Sequence, residues 1–184
     1  MDEATAFAPG HITAFFAPYP DRDPVRAGSR GAGLALSDGV EVTVRPTEDA
    51  DGRNAAGLAS LDLDGVPAEM EPVERVLAEL NVAAEVEVES DVPVGAGFGV
   101  SGAAALATAL AANAAFGLGR SENDLVRVAH AAEAAAGTGL GDVVGQFRGG
   151  LPVRLEPGAP SYGRLDGVPA RPRVEYVSFG ELST

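Results

Sequence analysis

The 184-residue sequence contains no cysteine and no lysine, and both absences narrow what the protein can be. Without cysteine, a disulfide framework and a thiolate zinc site are both excluded. Without lysine, a Walker A phosphate loop is excluded, because that motif needs a lysine that reaches the β- and γ-phosphates. No apolar run reaches about 18 residues, so no membrane-spanning helix is predicted. The start of the chain is acidic at Asp2 and Glu3, unlike a secretory leader, and we therefore expect a cytoplasmic protein.

Positive charge is also scarce in this sequence. The 13 basic side chains are all arginine and face 27 acidic ones, which gives a net charge of −14. No basic patch could neutralise a run of phosphates, so nucleic-acid binding is not expected. An acidic surface without lysine is typical of proteins from salt-loaded cytoplasms, where salt screens the self-repulsion. The sequence therefore predicts a halophilic protein, with an ordinary acidic bacterial protein as the alternative.

The periodicity of apolar residues predicts a mixture of strands and helices. Asp38-Gly39 is a typical two-residue hairpin signal, and Val40, Val42 and Val44 alternate with polar residues as in a half-buried strand. Strands are predicted at 5–8, 34–36, 40–45, 58–63, 85–89, 151–155 and 173–179, and helices from Pro72 and over 101–116 and 121–136. This order is typical of an α+β fold with helices on one side of a mixed sheet. Because the chain stops just after a strand-like run, we expect an interrupted protein.

Residues 93–102, with the sequence P-V-G-A-G-F-G-V-S-G, form the most informative segment. Glycines let the backbone adopt positive φ and approach a ligand, and the helix that follows offers free N–H groups and a positive dipole end. This combination predicts a cradle for a phosphate. A dinucleotide-binding loop is an alternative, although Glu122 and Asp124 stand at a helix start where an acidic residue should end a second strand. A glycine-rich connector without a ligand is the third interpretation.

Three segments together resemble the GHMP kinases, the superfamily of galactokinase, homoserine kinase and mevalonate kinase. They are A-P-G-H-I at 8–12, the glycine loop at 93–102, and G-T-G-L-G-D at 137–142. Within the superfamily, G-S-R-G-A-G at 28–33 and T-G-L-G-D-V-V-G-Q-F-R-G-G at 138–150 are most similar to the archaeal pantoate kinases. The resemblance covers essentially the whole sequence.

The resemblance implies a fold and an activity. The fold is the ribosomal-protein-S5-domain-2-like N-terminal half of a two-domain kinase. Residues 1–184 would be that domain, and the C-terminal GHMP domain would be absent from the chain. The activity is the phosphorylation of pantoate to 4-phosphopantoate on the archaeal route to coenzyme A, with ATP and Mg²⁺ as cofactors. Alternatives are a GHMP kinase of homoserine, shikimate or mevalonate type, or a truncated half that binds ligand without catalysis. A homodimer is also expected, and neither nucleic acid nor membrane is expected as a partner.

Three residues are the candidates for the chemistry. Asp142 is an acid in an apolar, glycine-rich turn, which suits a base for a hydroxyl proton or an Asx-turn residue. Glu133 is a lone carboxylate in an alanine-rich helix, either a Mg²⁺ ligand or a solvent-facing side chain. Ser101 stands at a helix start, as a phosphate or Mg²⁺ contact or as a simple N-cap. The resemblance implies that all three are catalytic and that Ser101 and Glu133 bind Mg²⁺. It also implies that the ATP phosphates contact Pro93, Gly95, Ala96, Gly97, Phe98, Gly99, Val100, Ser101 and Gly102.

The substrate contacts are also taken from the resemblance. Pantoate carries a carboxylate, which the planar guanidinium of an arginine can grip with two hydrogen bonds. The resemblance implies that the substrate is bound by Ser29, His130, Arg154 and Thr184. Arg30 and Arg148 are alternatives for the carboxylate contact. For His11, in the P-G-H-I turn, we expect a structural or nucleotide-side role.

Overall fold

The computed structural model of the protein describes residues 3–47 and 57–177. In chain order the described elements are β1 (Ala4–Tyr19), β2 (Gly28–Pro46), β3 (Gly57–Leu63), β4 (Val66–Pro67), α1 (Glu71–Leu80), β5 (Ala83–Ser90), α2 (Val100–Ala115), α3 (Glu122–Ala136), α4 (Asp142–Arg148), β6 (Leu151–Glu156) and β7 (Arg164–Val168).

The described strands form one seven-stranded sheet. Six of them follow the order β4-β3-β5-β2-β6-β7, and the seventh, β1, also pairs with β2. Within the described residues β3 pairs with β5 in parallel, and the other pairs are antiparallel. Strand β2 is the central element, since β1 pairs along its length while β5 and β6 pair with its two ends on the opposite side. The predicted α+β fold with a mixed sheet is confirmed.

One face of the sheet is apolar and carries the helices. Val40, Val42 and Val44 are fully buried, whereas Glu41 and Arg45 between them are exposed. This is the alternation expected when one face of a strand meets a core and the other meets water.

Helix α2 packs against β1 and β2 on one side and against α1 and α3 on the other. Its side chains are mostly alanine, and those from Gly102 to Ala109 are all buried. A helix that is apolar all round belongs in the interior. Because its residues are small, neighbouring elements can approach closely. In residues 3–47 and 57–177, no helix is long and apolar enough to cross a membrane.

Several predicted elements are confirmed with small shifts in their ends, and the predicted hairpin is wrong. Asp38 and Gly39 lie inside the continuous strand β2, opposite the point where the pairing with β1 shifts register near Pro9. A type I′ turn would need positive φ at both central residues, and neither has it. Gly39 serves a different purpose, since a Cβ there would lie 2.2 Å from the Ala8 carbonyl oxygen of β1.

The predicted strand at 173–179 is also wrong in its described part, because residues 171–177 have no regular structure. Residues 178–179 lie outside the described residues. Three short elements, β4, α4 and β7, were not predicted. Each is seven residues or fewer, which is too short for a periodic apolar pattern to stand out.

Candidate active site

Helix α4 begins at Asp142, so this residue lies at a helix start rather than in a turn. The preceding Gly141 is held close to Arg154 and Ser29, since a Cβ on it would lie 2.7 Å from Arg154 Nε and from Ser29 Oγ. A glycine is therefore needed at this position, and it brings the start of α4 against strands β2 and β6.

The carboxylate of Asp142 is held by strand β1. His11 Nδ1 donates a hydrogen bond to Asp142 Oδ1 at 2.8 Å, and Thr13 Oγ1 donates to the same oxygen at 3.3 Å. Burial alone would raise the pKa of Asp142, but the hydrogen bond from His11 and the charge of Arg154 outweigh it and lower the pKa. Asp142 is therefore an ionised carboxylate with a fixed orientation at neutral pH.

His11 is buried beside Asp142 in a site that two glycines make possible. A Cβ on Gly33 would lie 2.2 Å from His11 Nε2, and a Cβ on Gly145 would lie 3.0 Å from it. The imidazole thus fills the space left by missing side chains on β2 and α4. This position favours the structural role expected for His11, directed at Asp142. No local pattern predicts this pairing, because the two residues are 131 positions apart in the chain.

Glu133 lies on α3 and is 2% exposed, so the solvent-facing alternative is wrong. Ser101 Oγ donates to Glu133 Oε1 at 2.8 Å, while Oε2 is buried and has no hydrogen-bond partner among the described residues. Burial raises the pKa of Glu133 to about 7, and the nearby charge of Asp142 adds to the effect, although hydrogen bonds from Ser101 and Thr138 oppose it. A buried carboxylate with an unpartnered oxygen is suited to a cationic ligand.

The two carboxylates converge at Gly139. A Cβ on Gly139 would lie 2.7 Å from Glu133 Oε1 and 3.3 Å from Asp142 Oδ2. These two oxygens can therefore be no farther apart than the sum of the two distances, 6.0 Å. Ser101, bonded to Glu133, brings the first turn of α2 to the same point. The structure thus brings the three candidates for the chemistry together.

The glycine loop has the backbone geometry predicted for it. Gly95, Gly97 and Gly99 have φ of 73°, 84° and 66°, in the left-handed region that favours glycine. Gly99 is the N-cap of α2, so Ser101 is not the cap and the alternative N-cap role is wrong. The side chains of Phe98 and Val100 are buried in the core. These two residues can therefore offer a ligand only their backbone groups.

A cleft of about 280 Å³ adjoins Asp142. It is lined in part by Thr13, Ser29, Gly141, Asp142 and Arg154. Arg154 is 4% exposed and donates to Ser29 Oγ at 3.1 Å and to the Gly141 carbonyl oxygen at 3.3 Å. Both hydrogen-bond acceptors are neutral, and the charge of Asp142, which lines the same cleft, acts on Arg154 through space rather than through a hydrogen bond.

The comparisons with known proteins agree with this geometry. The family model "GHMP kinases N terminal domain" matches residues 70–150, which include the glycine loop, Glu133 and Asp142. Relatives named pantoate kinase are 39% identical in Thermococcus kodakarensis, over 97% of this chain, and 36% identical in Methanospirillum hungatei, over 86%. A solved structure named "Phosphotransferase related to CoA biosynthesis pathway" is 35% identical over 91% of the chain, with a TM-score of 0.80. Residues 70–150 therefore form a GHMP kinase N-terminal domain.

The chain is shorter than the relatives that it matches. It spans 61% of the Thermococcus kodakarensis protein, 55% of the Methanospirillum hungatei protein and 57% of the solved phosphotransferase. The same fold occurs in the homoserine kinase of Cytophaga hutchinsonii, with a TM-score of 0.65 at 20% identity. The predicted GHMP N-terminal fold is therefore confirmed.

The remaining predicted substrate residues lie apart from the cleft or outside the described residues. His130 is buried, and its Nε2 donates to the Ala27 carbonyl oxygen at 2.8 Å. Arg30 lies over the ring of Tyr19, and Arg148 donates to a backbone carbonyl at 3.2 Å. Thr184 lies outside the described residues. A direct substrate contact by His130 stays a prediction.

The oxygen atoms of this site fit Mg²⁺, a hard cation that prefers oxygen ligands. Ser101 Oγ and the unpartnered Glu133 Oε2 are the oxygens that could hold it. Within residues 3–47 and 57–177, no cluster of three or more His, Cys, Asp or Glu side chains could form a complete metal cage. Mg²⁺ typically keeps one or two carboxylates and takes its other ligands from water and substrate phosphates, so this small set is adequate.

Proposed function

We propose that this protein transfers the γ-phosphoryl group of ATP to the hydroxyl of pantoate, giving ADP and 4-phosphopantoate. The observation that carries the proposal is the convergence of Asp142, Glu133 and Ser101 at the N-terminus of α2, beside a cleft with a buried arginine. The pantoate kinase relatives at 34–39% identity support the choice of substrate. The place of this reaction on the archaeal route to coenzyme A is part of the same proposal.

In the reaction, the substrate hydroxyl oxygen forms a bond to the γ-phosphorus while the bond to the β–γ bridging oxygen breaks, and ADP leaves with that electron pair. The hydroxyl proton passes to Asp142. His11 and Thr13 both donate to Oδ1 of this carboxylate, which leaves Oδ2 to face the substrate. The lowered pKa of Asp142 keeps the carboxylate ionised before it accepts the proton.

The phosphates of ATP would be bound by the glycine loop. The first backbone N–H groups of α2 lack intrahelical acceptors, and the helix dipole places its positive end at Gly99. Exposed Gly95 and Gly97 would let the phosphates approach the backbone directly. Bound Mg²⁺, held by Ser101 and Glu133, would neutralise negative charge on the phosphates. Glu133 must be ionised for this role, and a cation would lower its pKa.

Substrate selection would depend on Arg154 and Ser29. Arg154 is buried, and its two hydrogen bonds in the described structure both go to neutral oxygens. A buried guanidinium of this kind favours an anionic ligand, because hydrogen bonds to a substrate carboxylate would offset part of the cost of desolvating Arg154. Pantoate offers a carboxylate for Arg154 and a hydroxyl for Asp142.

The test is an ADP-release assay with pantoate, homoserine, shikimate and mevalonate as acceptors. We expect release that depends on pantoate and not on the other three. Release that depends on one of the others would transfer the proposal to that type of GHMP kinase.

A non-catalytic half is the second candidate, and the observation that favours it is that the chain spans only 54–61% of its curated relatives. Calorimetry distinguishes the two candidates. Binding of ATP and pantoate without ADP release would support the binding half. Absence of both binding and release would contradict both candidates.

We further propose that the protein is adapted to high salt, which its net charge of −14 and its lack of lysine support. A thermal melt in dilute buffer and in molar KCl tests this. A higher Tm in KCl is expected because salt screens the acidic surface, and an unchanged Tm would contradict the proposal. The cytoplasmic location and the homodimer stay predictions.

A further inference from the structure

Gln146 lies on α4 one turn after Asp142, and it is 1% exposed. Its Nε2 donates a hydrogen bond to the Gly99 carbonyl oxygen at 2.8 Å. The backbone N–H of Ala103 donates to the same oxygen at 3.0 Å. Gln146 therefore joins the helix that carries Asp142 to Gly99 of the glycine loop, at the point where α2 begins.

The glycine loop has an open side and a packed side. A Cβ on Gly97 would meet nothing within 4 Å. A Cβ on Gly99 would lie 3.0 Å from Gln146 Nε2, and one on Gly102 would lie 3.1 Å from Gln146 Oε1 and 3.3 Å from Val143 Cγ2. Because Gly99 and Gly102 have no side chains, α4 can pack closely against this side of the loop. The Gln146 amide lies between these two glycines.

Stability alone does not account for an amide at this position. Gln146 Oε1 is buried and has no hydrogen-bond partner among the residues that the structure describes. A buried acceptor without a partner is destabilising, whereas an apolar side chain of similar length would fill the space without that cost. The benefit of the glutamine must therefore lie in its other atom, the Nε2 donor to Gly99.

We infer that Gln146 is a positioning residue that fixes the phosphate-binding loop relative to Asp142, an inference that rests on the proposed function. In a trans peptide the C=O and the following N–H point in opposite directions. By fixing the Gly99 carbonyl, Gln146 directs the Val100 N–H out of the start of α2, where a phosphate would bind. Because Gln146 and Asp142 share one rigid turn of α4, the phosphate site and the proton acceptor keep one separation.

The test compares Gln146→Met and Gln146→Glu with a matched control, Asn113→Leu. Methionine keeps the length and loses both polar atoms, whereas glutamate keeps the shape and replaces the donor by an acceptor that faces the Gly99 carbonyl. Asn113 is a suitable control, because its side-chain Oδ1 accepts from the Arg120 backbone N–H at 2.9 Å, at the far end of the same helix α2. All three variants lose a hydrogen bond between a side-chain amide and the backbone.

For Gln146→Met we expect kcat to fall about tenfold, as for a transition-state interaction of one hydrogen bond, with an unchanged KM for pantoate. Gln146→Glu should lose more, because its carboxylate repels the Gly99 carbonyl. Asn113→Leu should lower Tm and leave kcat unchanged. A Gln146→Met enzyme that loses Tm but keeps wild-type kcat would overturn the inference, because the residue would then be only structural.

Hydrogen exchange of the unliganded protein gives a readout that does not depend on activity. In Gln146→Met, the amides of residues 97–103 should exchange faster, since the carbonyl that anchors this segment has lost one of its donors. The same segment should be unaffected in Asn113→Leu. Unchanged exchange in Gln146→Met would overturn the inference. If the wild-type chain released no ADP, the proposed function would fail, and the exchange experiment would still decide whether Gln146 holds the loop.

Discussion

The two halves of strand β2 have the same extended backbone and opposite chemistry. Residues 40–45 alternate buried valines with polar side chains and pair with β1 and β5. Residues 28–33 carry three glycines and the buried Ser29, and they lie between the strand of His11 and the strand of Arg154. The first set of residues supports a hydrophobic core, and the second leaves room for large polar side chains from its neighbours.

This difference shows how the fold separates stability from chemistry. Within residues 3–47 and 57–177, most of the buried polar side chains lie around the start of α4, which packs against β2. We call His11, Ser29, Glu133, Gln146 and Arg154 the polar corner. Three members of the polar corner each have a buried polar atom without a hydrogen-bond partner in the described part of the chain: Glu133 at Oε2, His11 at Nε2 and Gln146 at Oε1. Unpartnered buried groups are destabilising, so this corner is maintained at the expense of stability that the valine-rich half supplies.

The largest expected effect is on the chemical step and comes from Asp142→Asn. Asparagine keeps an oxygen that can accept from His11 but cannot take up the substrate proton. We expect kcat to fall at least about 100-fold, within the usual range for loss of a general base. The unfolding midpoint in urea should change little, because the hydrogen bond from His11 is retained. Wild-type turnover in this variant would refute the assignment of the base.

The second prediction concerns how much the polar corner lowers the unfolding free energy. It uses the variant Glu133→Gln in the absence of divalent cations. Burial raises the pKa of Glu133 to about 7 in the folded state. The folded protein therefore holds a proton that the unfolded chain has released, and stability is lost as the pH rises from about 4.5 to about 7. By linkage the loss is on the order of 3 kcal/mol.

The measurement for Glu133 is the difference in unfolding free energy between wild type and Glu133→Gln at several pH values, by urea denaturation. The glutamine variant lacks this titration, so the difference should favour the variant increasingly above pH 5. A difference that does not vary with pH would show that the pKa of Glu133 is not raised in the folded protein. Other titrating groups are common to both proteins and cancel in the comparison.

The third prediction concerns the apolar half of β2. Val42→Ala removes two methyl groups from a fully buried side chain, and we expect a loss of about 2 kcal/mol in unfolding free energy. At a temperature where the variant stays folded, kcat should equal that of wild type. A fall in kcat comparable to the fall in stability would show that the two halves of the strand are coupled rather than separate.

The apolar half was predictable from sequence, and the polar corner was predictable only in part. The alternating valines and the helix from Pro72 follow from local periodicity, which needs no knowledge of the fold. The resemblance to GHMP kinases supplied Glu133 and Asp142. The contacts of His11 and Gln146 were not predicted, since His11 meets Asp142 only after β1 and α4 have packed. The hairpin at Asp38-Gly39 failed for the same reason, because the pairing partner β1 keeps the strand continuous.

The smallest effect is expected at His11. This residue tests the comparison between the two halves of β2, because its side chain occupies the space beside Gly33 in the glycine-rich half. His11→Leu removes the donor to Asp142, and His11→Asn retains an amide N–H close to the position of Nδ1. We expect kcat to fall about tenfold in the leucine variant, as for one orienting hydrogen bond, and less in the asparagine variant. The hydrogen bond from His11 lowers the pKa of Asp142, so its loss should raise that pKa.

A pH profile of kcat separates this role of His11 from a purely structural one. The acid limb reports the ionisation of the base, so it should move to higher pH in His11→Leu and remain near its wild-type position in His11→Asn. Both variants leave space beside Gly33 and Gly145, so both should lose stability whatever their effect on the profile. An unmoved acid limb in the leucine variant would mean that His11 fills the gap left by the glycines without controlling the Asp142 carboxylate.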